Sequence, residues 1–255
     1  MAGLSKEQKQ QMYEQGYVHI RGGVPQHLVN DALKAINHSL GNGIPVEKVD
    51  QFRSQSFCPE LQSDPVILNL FHQSQAPELL QSVIDLDLVH PVRSGQIALR
   101  FPNRDSEPRQ ARPHLDGMHS PLNGVPKGTI RNFTALVGVL LSDLPNRHAG
   151  NFTVWPGSHL LYEQYFKEHG AESLLNGLPP VQLPEPVQVT GKAGDLIIAH
   201  YMLGHGVTPN ISPHIRYAVF FRIKHKAIQE HNWQQSMENI WLHWPGMAEI
   251  IPHAE

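Results

Sequence analysis

The sequence predicts a mainly β fold with flanking helices, its core a double-stranded β-helix, or jelly roll. Two observations carry this expectation. From Ser94 onward, apolar segments of strand length alternate with clusters of Gly, Pro and Asn. No regular helical period separates most of them, which argues against a parallel α/β sheet and for two antiparallel sheets enclosing a mouth lined by side chains. The segments are Gln96 to Phe101, Pro113 to Asp116, Asn132 to Leu141, Phe152 to Trp155, Val187 to Thr190, Leu196 to Ala199, His205 to Val207 and Ile215 to Ile223.

The elements before them follow a different rhythm. Ser5-Lys6-Glu7-Gln8 reads as a capping box opening a short helix that Gly16 ends. Tyr17-Val18-His19-Ile20 alternates as a strand. After Pro25, the set Leu28, Val29, Ala32, Leu33, Ile36 and Leu40 has the spacing of an amphipathic helix stopped by Gly41. Further helices are expected from Pro65 to about Gln73 and from Pro77 to about Ile84, a helical insertion from Leu160 to Asn176, and a last helix including Gln229 to Leu242. The expected organisation is one domain over 1–255. Residues 1–93 form a mostly helical support, 94–225 the jelly-roll core with an insertion at about 160–186, and 226–255 a C-terminal helix.

Composition narrows the function classes. At 255 residues and a net charge of −3, the chain has no global attraction for nucleic acid or anionic membranes. No stretch approaches the ~20 apolar residues of a membrane span. The single Cys58 cannot form an internal disulfide, and Met1 to Lys6 lacks the apolar core of a signal peptide, so a reducing, cytoplasmic location is expected.

The chemistry centres on Arg112-Pro113-His114-Leu115-Asp116-Gly117. In extended backbone, side chains at i and i+2 share a face, so His114 and Asp116 would project together and could hold adjacent positions on one metal ion. The pair alone is weak evidence, because such spacings are common. His205, directly after the apolar strand and Gly204, is a candidate third ligand, and Arg216 lies on the following strand. Two imidazoles and one carboxylate on one face of an octahedral ion leave three positions open, the arrangement of non-haem Fe(II) oxygenases. A 2-oxo acid can fill two of these and O2 the third, while a planar guanidinium suits the distal carboxylate better than Lys.

In order, His114-x-Asp116, the run Gly150-Asn151-Phe152-Thr153-Val154-Trp155-Pro156-Gly157-Ser158-His159, Gly194-Asp195, His205-Gly206, Asn210 and Arg216 resemble the phytanoyl-CoA dioxygenase family of Fe(II)/2-oxoglutarate-dependent oxygenases, from roughly residue 5 to 224. The resemblance implies a cupin-like jelly roll in which His114, Asp116 and His205 bind Fe(II) and Arg216 binds the 2-oxoglutarate C5 carboxylate. It also implies that Arg100, where relatives often carry a Lys, reaches the cosubstrate, and that Thr134 lies on a pocket-lining face. The implied activity is hydroxylation of a small organic or metabolite-like substrate with O2, releasing succinate and CO2, with ascorbate a candidate reductant. The carboxylate at Asp116 argues against halogenation. Three departures stand out. Val207 and Ala218 replace hydroxyl residues that relatives often use beside the cosubstrate, and Gly138 replaces a bulky aromatic, which would leave room beside the iron.

Other readings stay open. A jelly roll that binds metal but is catalytically silent would keep the ligands without needing Arg216, and a zinc hydrolase could use the same donors, although no His-Glu-x-x-His helix is present. His119 is either a surface residue or a substrate contact. His159, His200, Asp195 and Asn210 read as structural. Between Arg93 and Arg131, Arg93, Arg100, Arg104, Arg109, Arg112, Lys127 and Arg131 outnumber Asp105, Glu107 and Asp116, which suggests either a basic rim favouring an anionic substrate or a solvated loop. Trp233, Trp241 and Trp244 suit helix packing or a homodimer contact.

Overall fold

The computed structural model describes residues 3–103, 107–229 and 231–252. The chain opens with α1 (Lys6–Gln15), started by the expected capping box: Ser5 Oγ accepts from the Gln8 amide at 3.2 Å and Gln8 Oε1 accepts from the Ser5 amide at 2.9 Å. β1 (Tyr17–Ile20) follows, then α2 (Gln26–Gly41), which buries Leu28, Val29, Ala32 and Ile36; the three larger side chains each contribute roughly 1.5–3 kcal/mol by leaving water. α3 (Val49–Ser54) was not expected; it lacks a periodic apolar face and buries no residue. α4 (Pro65–His72), capped by the Asp64 carboxylate, and α5 (Ala76–Gln81) complete the support.

Two antiparallel sheets form the jelly roll. The larger comprises, in spatial order, β1, β6 (Leu196–His200), β3 (Ala135–Leu140), β8 (Arg216–Ile223) and β2 (Gln96–Arg100). The smaller comprises β5 (Val187–Gln188), β4 (Phe152–Val154) and β7 (His205–Val207). The strands Ala135–Leu140 and Leu196–His200 are buried along their whole length, because helices cover the outer face of the large sheet. One apolar cluster runs through both sheets and the supporting helices, from Leu4 to Met247. No described helix is long and apolar enough to cross a membrane.

The expected strand Tyr17–Ile20 pairs with β6 and closes the edge of the large sheet. Three differences from expectation have local causes. Pro113 to Asp116 is not a strand: only His114 bridges, to His205, because Pro113 has no N–H to donate and Gly117 turns the chain at φ 82°. β3 starts at Ala135 rather than Asn132, whose side-chain amide donates instead to Ser236 Oγ at 2.8 Å and anchors the C-terminal segment. Within its described residues that segment forms α7 (Gln235–Glu238) and a 3-10 helix at Pro245–Met247 between turns rather than one long helix, and Trp233, Trp241 and Trp244 are buried in the chain's own core. The insertion is helical as expected, as α6 (Ser158–His169) followed by a 3-10 helix at Ala171–Asn176.

Candidate metal centre

His114 and His205 are brought together by the backbone. The amide of each donates to the carbonyl of the other, at 2.9 and 3.1 Å, so His114 extends the small sheet by one residue beyond β7. Their rings lie 4.5 Å apart. Asp116 reaches the pair from two residues further on: its Oδ1 is 3.4 Å from the Nε2 of both histidines. Gly117 allows the chain to leave directly, because a Cβ there would strike the Arg131 carbonyl oxygen at 2.1 Å. One donor atom from each of His114, Asp116 and His205 therefore falls within 4.8 Å of the others, and this is the only such cluster among the described residues.

The donors are prepared for a cation. His205 Nδ1 lies 2.9 Å from the Leu203 carbonyl oxygen; donation there leaves the Nε2 lone pair facing Asp116. Burial, and next the charge of His205, push the His114 imidazole toward its neutral form. Burial alone would raise Asp116, but Arg222 and the two imidazoles outweigh it and hold the carboxyl well below its usual range. An ionised carboxylate beside imidazole nitrogens is the donor set a divalent metal takes, and the His-Asp-His set suits Fe(II).

The cluster opens on a cavity of about 520 Å³ lined from both sheets, the loop at 113–123 and α3. Arg216 lies in its wall. Its Nε donates to the Gly150 carbonyl at 2.8 Å and its Nη1 to the Ala98 carbonyl at 2.9 Å, while its buried Nη2 has no partner among the described residues. Burial, and then the charge of Arg100, work against its protonated form, the condition of a guanidinium that lacks an anion. Arg100 sits opposite Arg216 in the β2–β8 register, also lines the cavity, and is pushed down to about 10 by burial and by Arg53. An orphaned guanidinium N–H in the wall of the cavity that holds a three-donor cluster fits a carboxylate-bearing chelator bound to a metal.

Other expected residues fall elsewhere. Thr134 does not line the cavity; its hydroxyl accepts from the His225 amide at 3.0 Å, beneath the C-terminal segment. Gly138 leaves no extra room, because Phe220, its register partner on β8, fills the space: a Cβ on Gly138 would meet that ring at 2.8 Å. Val207 lines the cavity without a hydroxyl, and Ala218 is buried outside it. His119 lines the mouth with its Nδ1 2.6 Å from the Val125 carbonyl oxygen. Asn210 bonds beyond its own loop, donating to the Arg100 carbonyl at 2.8 Å and so fixing the end of β2. Asp195 accepts from the Gly22 and Lys192 amides and faces His19, a structural role.

Sequence reasoning missed Arg222, whose Nε and Nη2 donate to Asp116 Oδ2 at 3.0 and 2.6 Å. Strand parity could have found it, since Arg216, Phe220 and Arg222 share the cavity face of β8. It also missed Arg53, which α3 carries to the mouth.

Known structures share this architecture. The non-haem α-ketoglutarate-dependent carbocyclase SnoK from nogalamycin biosynthesis is 21% identical, with a TM-score of 0.55 over 91% of this chain and 90% of that one. HygX from Streptomyces hygroscopicus, crystallised with nickel and 2-oxoglutarate, is 18% identical, with a TM-score of 0.55 over 90% of each chain. EctD from S. alaskensis is 18% identical, with a TM-score of 0.54 over 87% of this chain and 77% of that one. At such identities the likeness is one of fold. Comparison with curated protein sequences finds no significant match. The signature of the phytanoyl-CoA dioxygenase (PhyH) family matches residues 12–218, and the chain belongs to that family of non-haem iron, 2-oxoglutarate-dependent enzymes.

Proposed function

We propose that the protein is an Fe(II)- and 2-oxoglutarate-dependent dioxygenase that hydroxylates a small, anionic, metabolite-like substrate. The observation that carries this is one cavity lined both by the His114, Asp116 and His205 donors and by Arg216, whose buried Nη2 has no partner among the described residues. His114, Asp116 and His205 hold the iron, and Arg216, with Arg100 beside it, holds the C5 carboxylate of 2-oxoglutarate. When bound, iron and 2-oxoglutarate supply the oxidising chemistry, consuming O2 and releasing CO2 and succinate, with ascorbate serving as reductant. The protein's own part is orientation and exclusion of water. The Arg216 side chain is fixed by two carbonyls before any ligand arrives, so little freedom is lost on binding. Phe152, Leu136 and Phe220 give the cavity an apolar wall beside the donors.

Arg216 sets this reading apart from a silent metal-binding jelly roll and from a zinc hydrolase. Neither needs a buried, unpaired guanidinium in the wall of the metal cavity, a group costly to maintain without an anion. Anaerobic addition of Fe(II) and 2-oxoglutarate should give the weak visible band of the chelate, and Asp116→Ala or His205→Ala should abolish it. A wild type with no band and no succinate formation in O2 would end the enzyme reading.

The anionic substrate follows from charge. Among the described residues the cavity is lined by Arg53, Arg100, Arg216 and Arg222 against the carboxylate of Asp116, and Arg53 is itself paired with Asp50 at 3.1 Å. Fe(II) and the 2-oxoglutarate dianion cancel, so with Arg53 paired a surplus of two positive charges persists in the loaded site and favours an anion. The surplus comes from strand arginines rather than from a loop rim: Arg109, Arg112, Lys127 and Arg131 do not line the cavity, and Arg104 and Asp105 lie outside the described residues. Screening acidic and neutral metabolites for stimulated succinate release at low and high salt tests this. Equal stimulation by neutral compounds, with equal salt sensitivity, would sink it. We place the enzyme in the cytoplasm on the buried free thiol of Cys58. The burial of the three C-terminal Trp residues within this chain takes away the reason for assigning them to a homodimer contact.

A further inference from the structure

The two oxygens of Asp116 do different things. Oδ1 stands 3.4 Å from both imidazole Nε2 atoms, on the side of the carboxylate that faces the histidine pair. Oδ2 faces the other way and receives two N–H groups of one guanidinium, Arg222 Nε at 3.0 Å and Nη2 at 2.6 Å. Arg222 is itself held. Its Nη2 also donates to Gln96 Oε1 at 2.8 Å, and its guanidinium carbon lies 5.7 Å from the centre of the Phe133 ring. The same strand thus presents Arg216 at one end of the cavity and Arg222 at the other.

We propose that Arg222 is a positioning residue that restricts Asp116 to binding the metal through one oxygen, which keeps a third coordination position open. This rests on reading His114, Asp116 and His205 as the iron site. The argument is one of coordination number. Three single-atom ligands on an octahedral ion leave three positions, which 2-oxoglutarate and O2 fill completely. A carboxylate binding through both oxygens would occupy one of the three. With Oδ2 taken by two charge-assisted hydrogen bonds, that mode requires Asp116 to break from Arg222. A purely electrostatic role for Arg222 makes the opposite prediction for affinity, since its positive charge repels a dication and removing it would tighten binding.

Nickel(II) titration of the apoprotein, followed by titration of the nickel-loaded protein with 2-oxoglutarate, separates these possibilities without turnover. Arg222→Gln is expected to weaken nickel binding about 10- to 100-fold, the range typical of removing a group that orients a metal ligand. It is also expected to weaken 2-oxoglutarate binding to the loaded site. Arg222→Lys keeps the charge but cannot offer two fixed N–H groups to one oxygen, so it should restore only part of the loss. Thermal unfolding of each apoprotein shows whether the fold survives. Should Arg222→Gln fail to fold, Gln96→Ala removes the other acceptor of Nη2 at less cost to the fold and should weaken nickel binding about 2- to 5-fold, a fraction of the effect of losing the guanidinium itself. A wild type that binds no nickel defeats the iron-site reading itself. A wild type that binds nickel, with Arg222→Gln binding nickel and 2-oxoglutarate equally or more tightly, overturns the role given to Arg222 alone.

Discussion

Two pairs of histidines, His114 with His205 and His159 with His200, show how little the residue type says about function and how much the free ring nitrogen says. The rings lie 4.5 Å apart in the first pair and 5.7 Å in the second. In the first pair both Nε2 atoms face a carboxylate oxygen at the edge of a cavity. In the second pair the nitrogens are used by the fold. His200 Nε2 lies 2.9 Å from the Ile240 carbonyl oxygen and its Nδ1 accepts from the Met202 amide, while His159 Nε2 faces the Tyr13 carbonyl oxygen at 2.9 Å. The remaining His159 Nδ1 has no partner among the described residues and is enclosed, with the backbone of Gly16 against it. Trp241 and Trp244 pack on the His200 ring. A donor becomes a ligand where a lone pair, an anion and open space coincide.

The sharpest way to break this contrast is to delete one member of each pair. His114→Ala is expected to lower nickel affinity more than about 100-fold, exceeding the typical loss from removing a group that only orients a ligand. Thermal stability of the apoprotein should hardly change, because the His114 side chain is half exposed. His200→Leu should do the reverse, costing about 3 kcal/mol by leaving the Ile240 carbonyl and the Met202 amide without partners, with nickel affinity kept in whatever protein remains folded. Calorimetric titration and thermal unfolding of both variants decide it, and a metal-binding loss in His200→Leu would erase the distinction.

Acid sharpens the same contrast. Burial pushes His159 down to about 4, and burial with the nearby His159 pushes His200 down to about 3. Both are neutral when folded and take a proton near pH 6.5 when unfolded. Their contribution to stability is therefore complete above about pH 6.5 and is lost progressively as the pH falls from there toward the folded values. By pH 5 each costs on the order of 2 kcal/mol. The apoprotein should show a falling Tm between pH 7 and 5, and His159→Gln should flatten that slope. A slope unchanged by the substitution would mean that other groups govern acid unfolding.

Much of this was legible in the sequence, and the exceptions share a cause. The capping box at Ser5, the apolar period of α2 and the alternating segments of β2, β6 and β8 are local signals, and each was realised within a few residues. His114, Asp116, His205 and Arg216 were legible because their order and spacing are distinctive, and the fold brings all four to one cavity. What the sequence did not disclose depends on partners distant in the chain. Thr134 has the right parity for the cavity, but the segment at 225 captures its hydroxyl. Gly138 looked like vacant space until Phe220 was placed across the ladder from it. Arg222 is an unremarkable strand cation until the loop at 116 folds back onto it.

Arg216 and Arg222 extend the comparison to two cations on one strand, one awaiting a carboxylate and one already holding one. Arg216→Lys should raise the 2-oxoglutarate Kd of the nickel-loaded protein about 10- to 100-fold, since an ammonium cannot bind the Gly150 and Ala98 carbonyls and still present an N–H in the plane of the ligand. Equal affinity in the lysine variant would show that charge alone suffices.

The smallest expected effect concerns Val207, which lines the cavity on β7 two residues beyond His205 and supplies no hydrogen bond there. Strand parity points its side chain to the same face as the His205 ring, toward the ligand side. Val207→Thr changes little in shape and adds one hydroxyl that a bound carboxylate can accept from. A single hydrogen bond of this kind contributes about 0.5–1.5 kcal/mol, so 2-oxoglutarate affinity should rise about 2- to 10-fold. Nickel affinity should be unchanged, because the hydroxyl does not touch the donors. Tighter 2-oxoglutarate binding in Val207→Thr that disappears in the Arg216→Lys background would show that hydroxyl and guanidinium grip the same carboxylate. Independent effects would place the hydroxyl against another part of the ligand.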